Sequence, residues 1–170
     1  NERPAGVETL SDWIKPGGPK AREAMIRNLI DHGADMSRLD FHDFSILHYA
    51  AMWGWLPVVK MLVARGMDVN AVTITGRTPL MYAVELQHVA VVKFLANHHE
   101  MELNIPDADG MTPLLLSMES GSAGLPIMSI LIDAGSDVNL MNHRKKTPLH
   151  IACMNQSHEQ AMILLDKKAQ

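Results

Sequence analysis

Residues 78–81 read Thr-Pro-Leu-Met, and variants of this tetrapeptide recur along the chain. They are Ser45-Ile46-Leu47-His48, Thr112-Pro113-Leu114-Leu115 and Thr147-Pro148-Leu149-His150, so that successive copies begin 33, 34 and 35 residues apart. A recurring period of this length is typical of proteins built from stacked repeats. The sequence therefore predicts a series of similar units rather than one globular core.

A second marker follows the same period. One five-residue pattern, Gly-x-Asp-x-Asn/Ser, occurs at Gly33-Ala34-Asp35-Met36-Ser37, Gly66-Met67-Asp68-Val69-Asn70 and Gly135-Ser136-Asp137-Val138-Asn139. The end of this pattern also occurs at Glu102-Leu103-Asn104. The last positions of these segments are again separated by 33, 34 and 35 residues. Two markers that drift together establish the repeat.

Each period predicts two helices and an extended loop. Thr before Pro is a helix-start signal, because the hydroxyl caps free backbone N–H groups and proline fits the first turn. Leu80, Ala83 and Val84 then give the narrow apolar stripe of a short first helix, with small side chains that allow close stacking. A second helix is indicated by apolar runs such as those at 58–63, 91–96 and 127–132, and a glycine ends it at 33, 66 and 135.

These residues resemble the ankyrin repeat, whose pattern runs D-x-x-G-x-T-P-L-H-x-A-A-x-x-G-H, then V-V-x-x-L-L, then G-A-D-V-N. The resemblance implies an all-α fold, an ankyrin-repeat α-solenoid of stacked helix-turn-helix units with β-hairpin-like loops along one edge. It divides the chain into an atypical N-terminal helix or cap (1–18), a partial repeat (19–39), three repeats (40–72, 73–106 and 107–141) and a truncated or capping terminal repeat (142–170). Residues 1–18 either cover the open face of the first repeat or bind a partner.

The sequence departs from the family pattern in two ways. Asp43 and Lys145 stand where Gly76 and Gly110 stand in the other loops, which makes the first and last hairpin tips less certain. Extra residues occur at 98–101 and 120–126, and both insertions are expected to lie in loops.

Composition narrows the classes of function. Fifteen Lys and Arg against 19 Asp and Glu give a formal charge of −4, so no overall basic field favours nucleic acid. No stretch of about 18 apolar residues predicts a membrane span. One cysteine in 170 residues fits a reducing compartment, and we expect an intracellular protein, cytoplasmic or nuclear.

Catalysis and metal binding find no support in the sequence. Cys153 lies at a small, stripe-facing position, which predicts a buried and unreactive thiol. The nine histidines lack metal-ligand spacing, and the family pattern uses His48, His88 and His150 as structural residues. Hydrolase, phosphate-loop and dinucleotide motifs are missing from the sequence. We therefore expect no catalytic residue, no cofactor and no metal.

Binding to another protein or a peptide segment is what the resemblance implies, through a concave surface of loop tips and exposed first-helix positions. The aromatic residues gather near the second repeat, and exposed aromatics dominate many interfaces. Phe44 and Trp53 are expected to be exposed, whereas Trp55 either joins them or packs between helices. The candidate partner-binding residues are Phe41, His42, Phe44, Met52, Trp53, Trp55, Arg77, Glu85, Leu86, Met111, Glu119, Arg144 and Lys146.

Charge along this surface is uneven, with acidic residues in the middle and a basic last loop at 143–146. A partner with an apolar anchor near the second repeat and acidic residues near the last loop would fit both ends. The alternative is that the basic run is simply a solvated loop.

Asn70 and Asn139 carry a modification hypothesis that also comes from the resemblance. Each ends an Asp-Val-Asn segment with a leucine eight residues upstream, a context similar to that used by an asparagine β-hydroxylase on ankyrin repeats. The alternative is an asparagine that only braces its loop.

The sequence thus predicts a non-catalytic protein-interaction module, expected to be monomeric. The alternatives are a regulatory or substrate-recruiting segment of a larger enzyme, channel or ubiquitin ligase, and a structural spacer.

Overall fold

A computed structural model describes residues 19–167 of the chain, and their side chains from residue 24 onward. The predicted cap at 1–18 and the last three residues lie outside the described residues. Residues 19–167 are all-α and contain no β-strand. They include a 3-10 turn at Gly121–Gly124. The helices are α1 Pro19–Asp31, α2 Ile46–Met52, α3 Leu56–Ala64, α4 Pro79–Glu85, α5 Val89–Ala96, α6 Pro113–Glu119, α7 Leu125–Asp133, α8 Pro148–Met154 and α9 His158–Asp166.

The tetrapeptides start the first helices, as the sequence predicts. The side-chain oxygens of Ser45, Thr78, Thr112 and Thr147 accept hydrogen bonds from the amides three residues later, at 3.3–3.5 Å. Each of these caps has extended backbone, which is the geometry that helix N-caps adopt. The recurring marker in the sequence is therefore a recurring helix start.

The helices form two rows. The first helices α2, α4, α6 and α8 pack successively against one another, and the second helices α1, α3, α5 and α7 form the other row. Leucines that recur with the period lie between the rows and are fully or almost fully buried: Leu47, Leu80, Leu114, Leu62, Leu95, Leu131 and Leu164. Small residues at Ala50, Ala83, Ser117 and Ala152 are buried in the first-helix row, which lets the helices approach closely.

The first and last hairpin tips form the same turn as the others although they lack glycine. Asp43 and Lys145 adopt φ of 60° and 57°, the left-handed conformation that Gly76 adopts at 74°. Their amides donate to the carbonyls of Asp40 and Asn142 at 3.1 and 2.8 Å, as Gly76 N–H donates to Thr73. All four tips therefore have the same turn, and two of them keep it with a residue that is strained there.

Candidate functional site

Each hairpin tip is closed by one polar side chain at its start. Asp40 Oδ1 accepts the amides of residues 42 and 44, Asp107 Oδ1 those of 109 and 111, and Asn142 Oδ1 those of 144 and 146, all at 2.8–3.1 Å. Thr73 accepts the amide of Arg77 at 3.3 Å in the same way. These side chains satisfy amides that would otherwise lack a partner in a tight turn.

Backbone hydrogen bonds tie neighbouring tips together. The amide of Ile74 donates to the carbonyl of His42 at 3.1 Å, that of Ala108 to Thr75 at 2.9 Å, and that of His143 to Asp109 at 3.1 Å. The tips thus form one continuous ladder across four units. Together with the exposed sides of α2, α4, α6 and α8, tip residues 41–44, 74–77, 108–111 and 143–146 make up what we call the first-helix face.

Aromatic rings occupy the N-terminal half of the first-helix face. The ring of Phe44 lies 5.3 Å from that of Tyr49 and 5.0 Å from that of Tyr82, and Tyr49 stacks on Trp53 at 5.1 Å between centroids. Phe41 is on the same tip as Phe44, with 84% of its surface exposed. Offset and tilted ring pairs at these distances stabilise one another beyond simple burial. We call Phe41, Phe44, Tyr49, Trp53 and Tyr82 the aromatic cluster.

Asp40 fixes one side of the aromatic cluster. The hydroxyl of Tyr49 donates to Asp40 Oδ2 at 2.6 Å, while the other carboxylate oxygen holds the tip amides. Partial burial raises the pKa of the Asp40 carboxyl, but the hydrogen bonds from Tyr49 and the tip outweigh it and hold that pKa below its usual value. The carboxylate therefore stays ionised and keeps the Tyr49 ring in place.

Three expectations about exposure need correction or qualification. Trp55 is 8% exposed and packs on Trp53 at 4.8 Å, so it takes the buried alternative. The expectation that Met111 is exposed is wrong, because it is 7% exposed beneath its tip. Phe44 and Trp53 are half-buried, since neighbouring rings cover one side of each. Phe41, His42 and Leu86 are exposed, as expected, while Met52 is half-buried.

Arg77 and Glu85 belong to one ion-pair network. The guanidinium donates to Glu85 Oε2 at 2.6 Å and to Asp107 Oδ2 at 3.2 Å. Partial burial lowers the pKa of Arg77, but the two carboxylates outweigh that effect and raise it above its usual value. Because these charges are already matched within the chain, Arg77 braces its tip to the next one through Asp107 rather than offering free charge to a ligand.

The C-terminal half of the first-helix face forms a pocket of about 360 Å³. The structure brings together there four predicted site residues, Met111, Glu119, Arg144 and Lys146. The pocket combines acidic, basic, amide and apolar side chains, the others being Asp109, Asn142, Ile151, Met154 and Asn155. Such a lining suits a polar peptide segment better than a purely apolar one.

His48 is a buried structural residue, as the family pattern implies. Its Nε2 lies 3.1 Å from the carbonyl of Arg77 in the next unit, and its Nδ1 lies 2.8 Å from the Ser45 hydroxyl. Burial lowers the pKa of His48 to about 4, against the weaker pull of the Arg77 carbonyl and of nearby carboxylates. The imidazole is therefore neutral at neutral pH and joins one unit to the next. His88 links units similarly, through a 2.9 Å bond between its Nε2 and the carbonyl of Met52.

The prediction that Cys153 is buried is wrong, because the thiol is exposed. At the matching position of α2, Ala51 is fully buried beneath the next first helix, α4. In the described residues no further first helix packs on α8, so the same position lines an apolar pocket of about 550 Å³ together with Leu149, His150 and Met154.

Asn70 and Asn139 differ in their surroundings. Asn70 Nδ2 donates to the carbonyl of Glu100 at 2.6 Å, and its Oδ1 accepts the amide of Glu102 at 2.9 Å. Its side chain therefore clamps the loop of the following unit. Asn139 is exposed, and its amide donates to Asp137 Oδ1 at 2.9 Å.

Sequence reasoning missed Tyr49 and Tyr82 as members of the face. The available signal was their position, one residue after each tetrapeptide, where residues 49, 82, 116 and 151 follow the same period as the caps. Within residues 19–167 no group of three or more His, Cys, Asp or Glu side chains is placed to hold a metal. In the same part of the chain, every helix is too short or too polar to cross a membrane.

Comparison with known proteins defines the class. A family model for ankyrin repeats in three copies matches residues 68–142, and the model for a single ankyrin repeat matches residues 42–74 and 144–170. The chain belongs to the ankyrin-repeat family. Ankyrin repeats are in general non-catalytic modules for protein interaction.

The chain is similar to parts of several larger proteins. It is 31% identical over 125 residues to rabankyrin-5 of Mus musculus, covering 72% of this chain and 10% of that protein. It is 31% identical over 146 residues to neurogenic locus notch homolog protein 1 of Xenopus tropicalis, covering 85% and 6%. The B-cell lymphoma 3 protein homolog of Mus musculus is 30% identical over 135 residues, covering 79% and 30%.

Proposed function

We propose that this chain recognises a segment of another protein through its first-helix face. The observation that carries the proposal is the aromatic cluster, which leaves Phe41 almost fully exposed on a tip that is itself held rigidly by Asp40. Large exposed aromatic side chains on rigid supports are the residues on which interface energies concentrate.

The same face also offers a site for polar residues. The pocket bordered by Glu119, Arg144 and Lys146 lies about two repeats from the aromatic cluster. A partner segment would place one apolar side chain against Phe41, another against Leu86, and a charged or amide side chain in the pocket. Arg77 and Glu85 would stay paired with each other between these two subsites.

A binding test uses changes confined to exposed side chains. In a proximity-labelling or pull-down experiment in cells, we expect Phe41→Ser with Leu86→Ser to lose specific partners, because these two residues are 84% and 47% exposed. The matched control is Met162→Ser with Val89→Ser, which removes two apolar side chains of 54% and 41% exposure from second helices. Retention of every partner by the first variant would contradict the proposal and favour a structural spacer.

A second candidate is a regulatory or substrate-recruiting role within a larger enzyme, channel or ubiquitin ligase. The comparisons support this candidate because the similar region is only 10% of rabankyrin-5 and 6% of the notch homologue, so in those proteins it is part of a much longer chain. Sequencing the full-length transcript decides between an isolated module and one attached to a catalytic or channel domain. An intracellular location remains part of the proposal and rests on the single cysteine.

Hydroxylation of Asn70 and Asn139 is also a proposal. The exposure of Asn139 favours it as the first target. Hydroxylation of Asn70 would require its side chain to release the carbonyl of Glu100 and the amide of Glu102. Mass spectrometry of protein purified from its own cells should show an added oxygen on the Asn139 peptide. A peptide of unmodified mass at both sites would refute the modification.

A further inference from the structure

The second helices carry a groove that shares no lining residue with the first-helix face. It lies between α3 and α5, extends to the turn after α5, and has a volume of about 700 Å³. Its lining is basic and apolar, made up of Leu56, Lys60, Ala90, Lys93, Phe94, Asn97, His98 and His99. We call it the outer groove.

The positive charge of the outer groove is unmatched. No carboxylate lines it, and within residues 24–167 neither the Lys60 nor the Lys93 ammonium has a carboxylate within 4.0 Å. At the rim, His99 Nε2 lies 3.8 Å from Glu100 Oε1. Two lysines without a carboxylate partner thus line one groove, in a chain with a formal charge of −4. They favour a ligand that brings negative charge.

The floor of the outer groove is apolar. Lys60 Nζ lies 5.7 Å from the centroid of the Phe94 ring, so its aliphatic stem and the ring border the same space. Leu56 and Phe94 are both only half-buried. A bound apolar side chain would cover them and remove that surface from water. This lining distinguishes the groove from a solvated pair of lysines.

The spacing of the two lysines limits the shape of the ligand. Lys60 and Lys93 are 33 residues apart and hold the same position in consecutive units. Packed helices lie about 8–10 Å apart. An extended polyproline-II-like segment advances about 3.1 Å per residue, so acidic residues three positions apart match this spacing. An apolar residue between them would face the floor.

We propose that the outer groove docks an acidic, extended segment of a partner protein. Its carboxylates pair with Lys60 and Lys93, and an apolar side chain between them packs on Leu56 and Phe94. This docking site is separate from the first-helix face, so each surface could bind without the other.

The test uses the 170-residue chain and a fluorescein-labelled peptide, Glu-Asp-Leu-Glu-Asp-Leu-Glu-Asp, followed by fluorescence anisotropy. We expect Lys60→Glu with Lys93→Glu to weaken binding of this peptide at least 10-fold. The matched control is Arg38→Glu with Lys167→Glu, which changes the net charge equally at exposed positions outside both binding surfaces and should change the affinity less than 2-fold. A peptide with both leucines replaced by serine should bind at least 5-fold more weakly than the parent.

Several results would overturn the proposal. They are absence of binding up to 1 mM peptide, equal weakening in both pairs of variants, and equal affinity for the serine peptide. Vesicles of phosphatidylserine and phosphatidylcholine form a further arm, and preferential, Lys60- and Lys93-dependent binding to vesicles would show a lipid surface instead. Circular dichroism checks that each variant folds. If the double glutamate variant does not fold, Lys60→Gln with Lys93→Gln takes its place and should weaken binding at least 3-fold.

Discussion

Acidification should destabilise the fold through His48, before the carboxylates titrate. Burial lowers the pKa of this imidazole from 6.5 to about 4, so between these values the unfolded chain takes up a proton that the folded chain rejects. Stability therefore falls as pH decreases from about 6.5 to about 4, and the loss is complete below the lower value. The Asp40 carboxyl, whose pKa is lowered below 3.8, acts in the same direction only in stronger acid.

The size of the effect follows from the width of that window. Each pKa unit corresponds to about 1.4 kcal/mol, and pH 5 lies about 1.5 units below the unfolded value, which gives a loss of about 2 kcal/mol. The physical cause is that a charged imidazole would lose hydration beneath α4. Its Nδ1, which receives hydrogen bonds from Ser45, would also have to carry a proton. The full loss, reached below pH 4, is about 3 kcal/mol.

The measurement is urea unfolding at 25 °C, at pH 7.5 and at pH 5.0, for wild type and His48→Gln. We expect the free energy of unfolding to fall by about 2 kcal/mol more in wild type than in the variant. His99→Gln is the matched control, because that side chain is 80% exposed and its curve should follow wild type. Equal losses in wild type and His48→Gln would refute the reasoning.

Three further predictions concern strain and exposure. Gly54→Ala should lower the free energy of unfolding by about 2 kcal/mol, because φ is 68° there and the new Cβ would lie 2.6 Å from the His88 ring. An unchanged midpoint of urea unfolding would contradict this prediction. Asp43→Gly and Lys145→Gly should each raise the free energy of unfolding by about 0.5–1 kcal/mol, because glycine adopts the left-handed backbone conformation without strain. A lower Tm in calorimetry would show that these positions are not strained. Cys153 should react stoichiometrically with Ellman's reagent in native protein, and a requirement for urea would restore the buried assignment.

Local chemistry made much of the fold predictable. A threonine followed by proline strongly favours a helix start, and the apolar spacing after it indicates which side is buried. Both are short-range properties, so Thr78 and Leu80 behave as predicted. The insertion at 120–126 was expected to lie in a loop, but Gly121–Gly124 form a 3-10 turn and residues 125–126 begin α7. The repeat boundaries themselves stay predictions.

The candidate site was harder to predict, because exposure depends on partners distant in sequence. Arg77 was expected to face a ligand, but Glu85 and Asp107 neutralise it across a loop and a repeat. Met111 occupies the tip position that Phe44 occupies two units earlier, yet only Phe44 keeps part of its ring exposed. No spacing rule in one sequence distinguishes these two environments.

The contrast between α2 and α8 shows why position within a repeat does not determine environment. His48 and His150 make the same bonds to their capping residues, and both lie at the third position of their helices. His48 is nevertheless fully buried under the next unit, whereas His150 is exposed. Burial in a stacked fold comes from the neighbouring unit, so identical motifs acquire different chemistry along the chain. The His48 pKa is thus a property of the contact between two units, and its pH signature reports on their stacking rather than on either unit alone.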